Sequence, residues 1–324
     1  MTHLKLFTYS AQLEERIGVV YDEGYALGLD IGRAHAHYLD KSGNCPDALQ
    51  TFPHDMLSFL RLGEPAHAAV REMLAYYDND EGRNLPEDIR LDIGRIRLRP
   101  PIVNPPKIVC LGRNYSSHVG EGGLKAPEMP KIFPKFNCVM IGPGDAIIKP
   151  DLTEQLDFEV ELAFVMGREA ESVPMEDAYR YVAGYTILHD VSARDIQFKD
   201  EQLTLGKNFR TFAPIGPYLV TADDIPDPHD LDLKLWLNGD LMQHSNTRYQ
   251  IFTIPYLVSF LSGIMKLEVG DIISTGTPEG VGVFRDPPVF MWPGDRVVLE
   301  VEKIGRLENP VIAEKMPGES TPEL

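Results

Sequence analysis

The chain has 324 residues, 43% hydrophobic and 25% charged, the composition of a soluble globular protein with room for one large domain or a small one beside a larger one. A formal net charge of −18 argues against non-specific nucleic-acid binding, which needs phosphate neutralisation, and no apolar run is long enough to span a membrane. Three widely separated cysteines indicate neither a disulfide framework nor a zinc site, and the N-terminus lacks the apolar core of a signal peptide, so a reducing cytoplasm is expected.

In chain order, residues 4–9 and 17–21 read as short strands, residues 54–77 as a helical stretch and residues 92–99 as a strand. His35 and His37 read as a pair on a strand, but nothing else in this block completes a metal site, and they are assigned to the surface. Pro100-Pro101 and Pro105-Pro106 break regular structure, which places a small α+β domain over 1–104 and a second domain over 105–324. In the second domain, residues 108–111, 146–148, 158–166, 184–188, 233–237, 271–274 and 296–302 read as strands. Residues 175–182 and 254–264 read as helices, the latter with Pro255 in its first turn. Many short strands and few helices give a mainly β fold with some α, rather than an alternating βαβ one.

Glu159 and Glu161 carry the most information. On a strand over 156–165 their side chains share a face, with Phe158, Val160 and Leu162 opposite. Two adjacent carboxylates repel, and a divalent cation would remove the cost of burying them. The run 184–188 leads into His189-Asp190 and brings a third carboxylate. Three oxygen ligands without a nearby cysteine suit Mg²⁺ or Mn²⁺, with water and substrate in the open positions. The plainer alternative is a solvated edge strand with its charges outward. A helix beginning near Asp190 would align Asp190, Arg194 and Gln197 on one face, either as a site or as a simple Asp190–Arg194 ion pair. Lys207 and Lys135 are candidates to meet a substrate carboxylate or developing oxyanion, or are plain surface charges. His118 and Glu121 stand three apart among Gly120, Gly122 and Gly123. They suit a mobile lid whose histidine takes a proton from water, or an ordinary exposed loop. Residues 272–282 read as a strand entering a glycine-rich turn that offers backbone N–H groups and the Thr277 hydroxyl to an anion, without a phosphate-loop pattern.

Taken in order, these segments resemble the fumarylacetoacetate hydrolase superfamily over about residues 107–310: Gly112-Arg113-Asn114-Tyr115, His118-x-x-Glu121, Phe133-x-Lys135, Asp157-Phe158-Glu159-Val160-Glu161-Leu162, Asp190 to Gln197, Lys207, Thr275 to Gly282, Pro293-Gly294-Asp295 and Gly305 to Pro310. The resemblance implies a mixed β-sandwich roll, a homodimer or higher homo-oligomer, and Mg²⁺ or Mn²⁺ held by Glu159, Glu161 and Asp190. It also implies a water-activating His118–Glu121 dyad, substrate contacts and charge stabilisation from Lys207, Arg194, Gln197 and Lys135, and Thr277 on the substrate carboxylate. Leu203 departs from the tryptophan of many relatives, and Gly206-Lys207-Asn208 from the more usual Ala-Lys-Gly. The implied chemistry is that of a small anionic 2-oxo acid enolised at C3 beside the metal. Hydrolysis of the C3–C4 bond of an acylpyruvate is the first expectation, because it uses the dyad most directly. Oxaloacetate decarboxylation, isomerisation or decarboxylation of a dienoic acid, and dehydration of a sugar-derived 2-oxo acid are the alternatives. A purely structural cation site in a binding protein is the non-enzymatic one.

Overall fold

A computed structural model describes residues 4–12, 14–22, 24–42, 51–79, 85–116, 127–199 and 202–314. The first block supplies strands β1 (Lys5–Ala11), β2 (Glu14–Val20), β3 (Leu27–Asp30), β4 (Arg90–Asp92) and β5 (Leu98–Arg99), with helices α1 (Ile31–Ser42), α2 (Met56–Leu62) and α3 (Glu64–Asp78). The helical stretch expected over 54–77 is thus two helices. Gly63 ends α2 in a left-handed conformation (φ 65°) with its N–H on the Leu60 carbonyl, and a proline opens α3. His35 and His37 lie on α1, not on a strand. His35 is buried edge-on against Phe52, and His37 Nδ1 lies 3.0 Å from the Tyr77 hydroxyl. The strand expected over 92–99 is interrupted by a turn between β4 and β5.

The second block adds β6 (Ile108–Gly112), β7 (Lys131–Lys135), β8 (Met140–Ile141), β9 (Ile147–Lys149), β10 (Leu156–Asp157), β11 (Val160–Met166), β12 (Val182–His189) and β13 (Ser192–Ala193). Two four-residue helices, α4 (Arg194–Gln197) and α5 (Thr204–Lys207), precede β14 (Ala213–Thr221), β15 (Asp232–Leu237) and β16 (Asp240–Asn246). Helix α6 (Ile254–Ser262), β17 (Ile272–Ser274), β18 (Arg296–Val301) and β19 (Gly305–Ala313) complete it. One large sheet runs β4-β3-β2-β1-β14-β12-β11-β17-β6-β7, with β5 and β8 at its side. It crosses from the first block to the second where Leu6 on β1 pairs Leu219 on β14. A second sheet runs β16-β15-β18-β19-β9.

The side-chain alternation of β11 explains the layering. Val160, Leu162, Phe164 and Met166 enter a core shared with Leu233 and Leu235 of β15 and Val297 and Leu299 of β18. Ala163 and Val165 point into the other core, with Phe59, Val70 and Met73 from the helices. The large sheet is therefore covered by the second sheet on one face and by α1–α3 on the other. Strand β14 escapes the sequence pattern because Pro214 and Pro217 read as breakers. Its ladder with β12 shifts register between Tyr185 and Ile187, and Pro217 falls in that irregular stretch, where a missing N–H is tolerated. Among the described residues, no helix is long and apolar enough to cross a membrane.

Candidate metal centre and active site

β11 is an interior strand between β12 and β17, and all seven of its residues are buried, which removes the edge-strand reading of the acidic pair. The strand expected over 156–165 breaks at Phe158–Glu159, between β10 and β11. Val160 pairs His189 across the β11–β12 ladder, and the Asp190 N–H donates to the Glu159 carbonyl at 3.1 Å. That register brings the third carboxylate to the first two. Glu159, Glu161 and Asp190 each present an oxygen within 4.8 Å of the others, all of them buried.

The surrounding cations are fixed by this cluster. Arg194 donates from Nε to Asp157 (2.7 Å), from Nη2 to Glu159 (2.6 Å) and from Nη1 to Gln197 (3.0 Å). Asp190 lies outside α4, so neither the expected helix face nor the Asp190–Arg194 pair forms; the helix starts at Arg194 and its partners come from the 157–159 segment. Lys207 Nζ bridges Glu159 (2.9 Å) and Asp190 (2.6 Å). Lys135, expected at the substrate, is fully buried. It pairs Asp190 at 2.8 Å and donates to the carbonyls of Lys207 and Phe212, and at 3.2 Å to that of Val191. An ammonium has three protons, so Lys135 braces Asp190 and has none left for a ligand.

The glycine-rich turn after β17 does bind an anion, and that anion belongs to the protein. Gly276 N–H (3.1 Å) and the Ser274 hydroxyl donate to Glu161 Oε2, while Gly282 and Val283 N–H donate to Asp157. Gly276 adopts φ 88°, and a Cβ there would meet Asn114 Cβ at 2.9 Å, so glycine is required. The Thr277 hydroxyl donates to the Val160 carbonyl (2.9 Å) and accepts from Gln243 (2.9 Å). Asp157 and Gln243 were not singled out from the sequence. Asp157 opens the same Asp-Phe-Glu-Val-Glu motif, while Gln243 leaves no local signal.

Burial, then the charges of Asp190 and Glu159, push the Glu161 carboxyl well above its usual range against the pull of Ser274 and Lys207. Burial opposes the charged form of Lys207, but Asp190 and Glu159 outweigh it and its pKa is raised. His189 is kept neutral, pushed down to about 3 by burial and then by Lys135. Four carboxylates (Asp157, Glu159, Glu161, Asp190) thus meet three cations, and the one without an ion pair is Glu161. Its Oε1 is buried with no hydrogen-bond donor. An unpaired oxygen beside two further carboxylates, with no sulfur or imidazole donor in the group, fits a hard divalent cation such as Mg²⁺ or Mn²⁺.

The cavity in front of this cluster is lined by Glu159, Asp190, Arg194, Gln197, Lys207 and Thr277 on its inner side. His118 and Glu121 lie outside the described residues. Leu203, in a left-handed conformation (φ 66°), forms part of the cavity wall. The Gly206 and Asn208 departures have local causes. A Cβ on Gly206 would meet the Gln197 backbone at 2.7 Å, so only glycine lets α5 pack this close to α4. Asn208 accepts from Phe136 N–H (2.8 Å) and donates to the Pro134 carbonyl (2.9 Å), tying α5 to β7. Gly206→Ala is expected to cost about 1–3 kcal/mol of stability and to lower turnover by displacing Lys207. Thermal melts and kinetics check this, and an alanine variant equal to wild type in both would show that the two helices have slack.

Residues 107–312 match the model of the fumarylacetoacetate (FAA) hydrolase C-terminal family. The chain belongs to the fumarylacetoacetate hydrolase family. As a member of that family it is similar to the mitochondrial oxaloacetate tautomerase fahd2 of Xenopus laevis, 43% identical over 264 residues that cover 81% of this chain and 80% of the relative. Among solved structures it resembles the fumarylacetoacetate hydrolase of Exiguobacterium antarcticum, with a TM-score of 0.74 and 31% identity over 96% of this chain and 100% of that one. The maleylpyruvate hydrolase of Sphingobium sp. SYK-6 gives a TM-score of 0.72 and 30% identity over the same shares. This family member is thus an enzyme by kinship, and its relatives divide among tautomerases, isomerases and hydrolases.

Proposed function

We propose that the chain is a divalent-metal-dependent enzyme that interconverts the keto and enol forms of a 2-oxo acid of the oxaloacetate type. The observation that carries this reading is the buried Glu159–Glu161–Asp190 cluster, which together with Asp157 sets four carboxylates against three cations and leaves Glu161 without an ion pair. The 43% identity to a protein named oxaloacetate tautomerase supports enol chemistry ahead of the C–C hydrolysis first expected, because the hydrolase relative stands at 30%.

When bound, Mg²⁺ or Mn²⁺ would supply Lewis-acid polarisation of the 2-oxo group, acidifying C3. Glu159, Glu161 and Asp190 would hold it. Lys207 and Arg194 keep two of those carboxylates in position through buried ion pairs, so the ligand oxygens are set before substrate arrives. Gln197 is turned by its bond to Arg194 and borders the cavity. Thr277 borders it too, its oxygen placed by Gln243. His118 with Glu121 is proposed as the group that moves the C3 proton, on the strength of the sequence motif.

The test follows enol-oxaloacetate ketonisation in ultraviolet absorbance, beside pyruvate release from oxaloacetate and from acylpyruvates, each with EDTA and with added Mg²⁺ or Mn²⁺. The expected outcome is metal-dependent ketonisation without pyruvate release. Metal-dependent pyruvate release from an acylpyruvate, with ketonisation no faster than in buffer, would replace this reading with the hydrolase one.

A further inference from the structure

Arg113 and Lys131 are left over from the chemistry above. They line the outer part of the same cavity, on the β6–β7 hairpin, where Gly112 pairs Lys131 in the last rung of the ladder and Arg113 follows directly. Lys131, Phe133 and Lys135 alternate onto one face of β7. That face carries Lys135 to Asp190 at its inner end and puts Lys131 two strand repeats further out. Both outer cations are half-buried, and no described carboxylate pairs with either, in a chain whose formal charge is −18. Beside the buried charged cluster, the same cavity takes apolar wall from Leu111, Phe198, Leu203 and Phe284.

Two like charges held half-buried in one cleft repel and lose hydration together, at a cost that a bound anion would offset. Burial and then the Arg113 charge lower the Lys131 pKa, as expected of two cations that face one cavity. Arg113 also holds a left-handed backbone (φ 62°), a conformation that a non-glycine residue keeps at a cost and that clusters at binding sites.

We propose that Arg113 and Lys131 form a carboxylate-binding subsite that selects 2-oxo acids carrying a second carboxylate. The proposal deepens the reading of the preceding subsection and rests on it for the placement of the 2-oxo acid head at Glu159, Glu161 and Asp190. The head sits at the inner carboxylate cluster and the tail carboxylate between the two outer cations. A 2-oxo acid with a neutral tail leaves those cations unmatched, so discrimination comes from the penalty as well as from the bond gained.

The experiment is isothermal titration of the Mg²⁺-loaded protein with difluoro-oxaloacetate, which has both carboxylates but no C3 proton, and with pyruvate, which has the head alone. The wild type is expected to bind the dicarboxylate at least about tenfold more tightly. Lys131→Met is expected to remove about tenfold of that affinity, leave pyruvate binding unchanged and leave the melting temperature undiminished, since an unpaired half-buried charge is removed. Arg113→Gln provides a second variant with the same expected selectivity loss. Equal affinity of the wild type for the two ligands, or a Lys131→Met variant that weakens both alike, would overturn the subsite. Dicarboxylate-selective binding that depends on Lys131, in a protein that does not ketonise enol-oxaloacetate, would sustain the subsite and sink only the tautomerase reading.

Discussion

Glu161→Gln is expected to melt at a higher temperature than the metal-free wild type and to lose activity. Glu161 is fully buried, shares its surroundings with Glu159 and Asp190, and makes no ion pair. Glutamine keeps an oxygen for the Ser274 hydroxyl and the Gly276 N–H, and it replaces the unpartnered acceptor Oε1 with an amide donor beside the acceptor oxygens of Glu159 and Asp190. Removing an uncompensated buried carboxylate is worth about 1–3 kcal/mol, a few degrees in melting temperature for a chain of this size. The same change removes a charged ligand, and metal affinity and turnover are expected to fall by more than about a hundredfold. The pH dependence has a definite sign. Burial raises the folded-state pKa of Glu161, so its part of the metal-free stability is intact below the ordinary glutamate range. That part is lost as pH rises through the raised value. A bound cation holds the carboxylate ionised and cancels the loss, so the thermal shift given by Mg²⁺ should grow with pH in the wild type and be absent in Glu161→Gln. Differential scanning fluorimetry across pH, with EDTA and with Mg²⁺, measures both.

Lys207→Met is expected to act in the opposite sense. Its ammonium bridges Glu159 and Asp190, with both partners almost fully buried, and taking it away leaves two carboxylates facing each other. Breaking a buried pair from one side costs about 3–5 kcal/mol. Arg194 still holds Glu159 and Lys135 still holds Asp190, so the loss should fall short of unfolding at room temperature. A divalent cation supplies the missing positive charge, and the thermal stabilisation by Mg²⁺ should exceed that of the wild type. Turnover should nevertheless fall by about a hundredfold, because the ammonium lines the cavity in which the proposed enolisation would develop negative charge. A variant that melts like the wild type without metal would mean that the carboxylates are already protonated and that the ion-pair description is incorrect.

The grouping of Glu159, Glu161 and Asp190 was legible because it rests on local rules. Alternation along a strand puts Glu159 and Glu161 on one side whatever the rest of the fold does, and a strand ending in His189-Asp190 needed only to pair with it. The roles of the basic residues were not legible, because each depends on contacts distant in sequence. Lys135 reads as a substrate contact until β7 is seen to bury it against Val191, Lys207 and Phe212. Arg194 reads as the i+4 partner of Asp190 until α4 is found to start at Arg194 itself, with Asp157 as the counter-charge. The glycine-rich turn was recognised as an anion cradle, yet nothing local could say that its anion is Glu161. In the fold, strands with clear β-branched runs were found, whereas β14 was hidden by its prolines and α1 by a short polar sequence whose helix forms against α3.

The measurement that bears most directly on the metal-centred site is Mn²⁺ titration of EDTA-stripped protein, with bound Mn²⁺ and the rate of enol-oxaloacetate ketonisation read on the same samples, for wild type and Glu161→Gln. One bound Mn²⁺ per chain, a rate that rises in proportion to it, and neither in Glu161→Gln is the predicted result. Full rate in the stripped wild type, or equal Mn²⁺ binding by Glu161→Gln, would contradict a catalytic metal held by Glu159, Glu161 and Asp190.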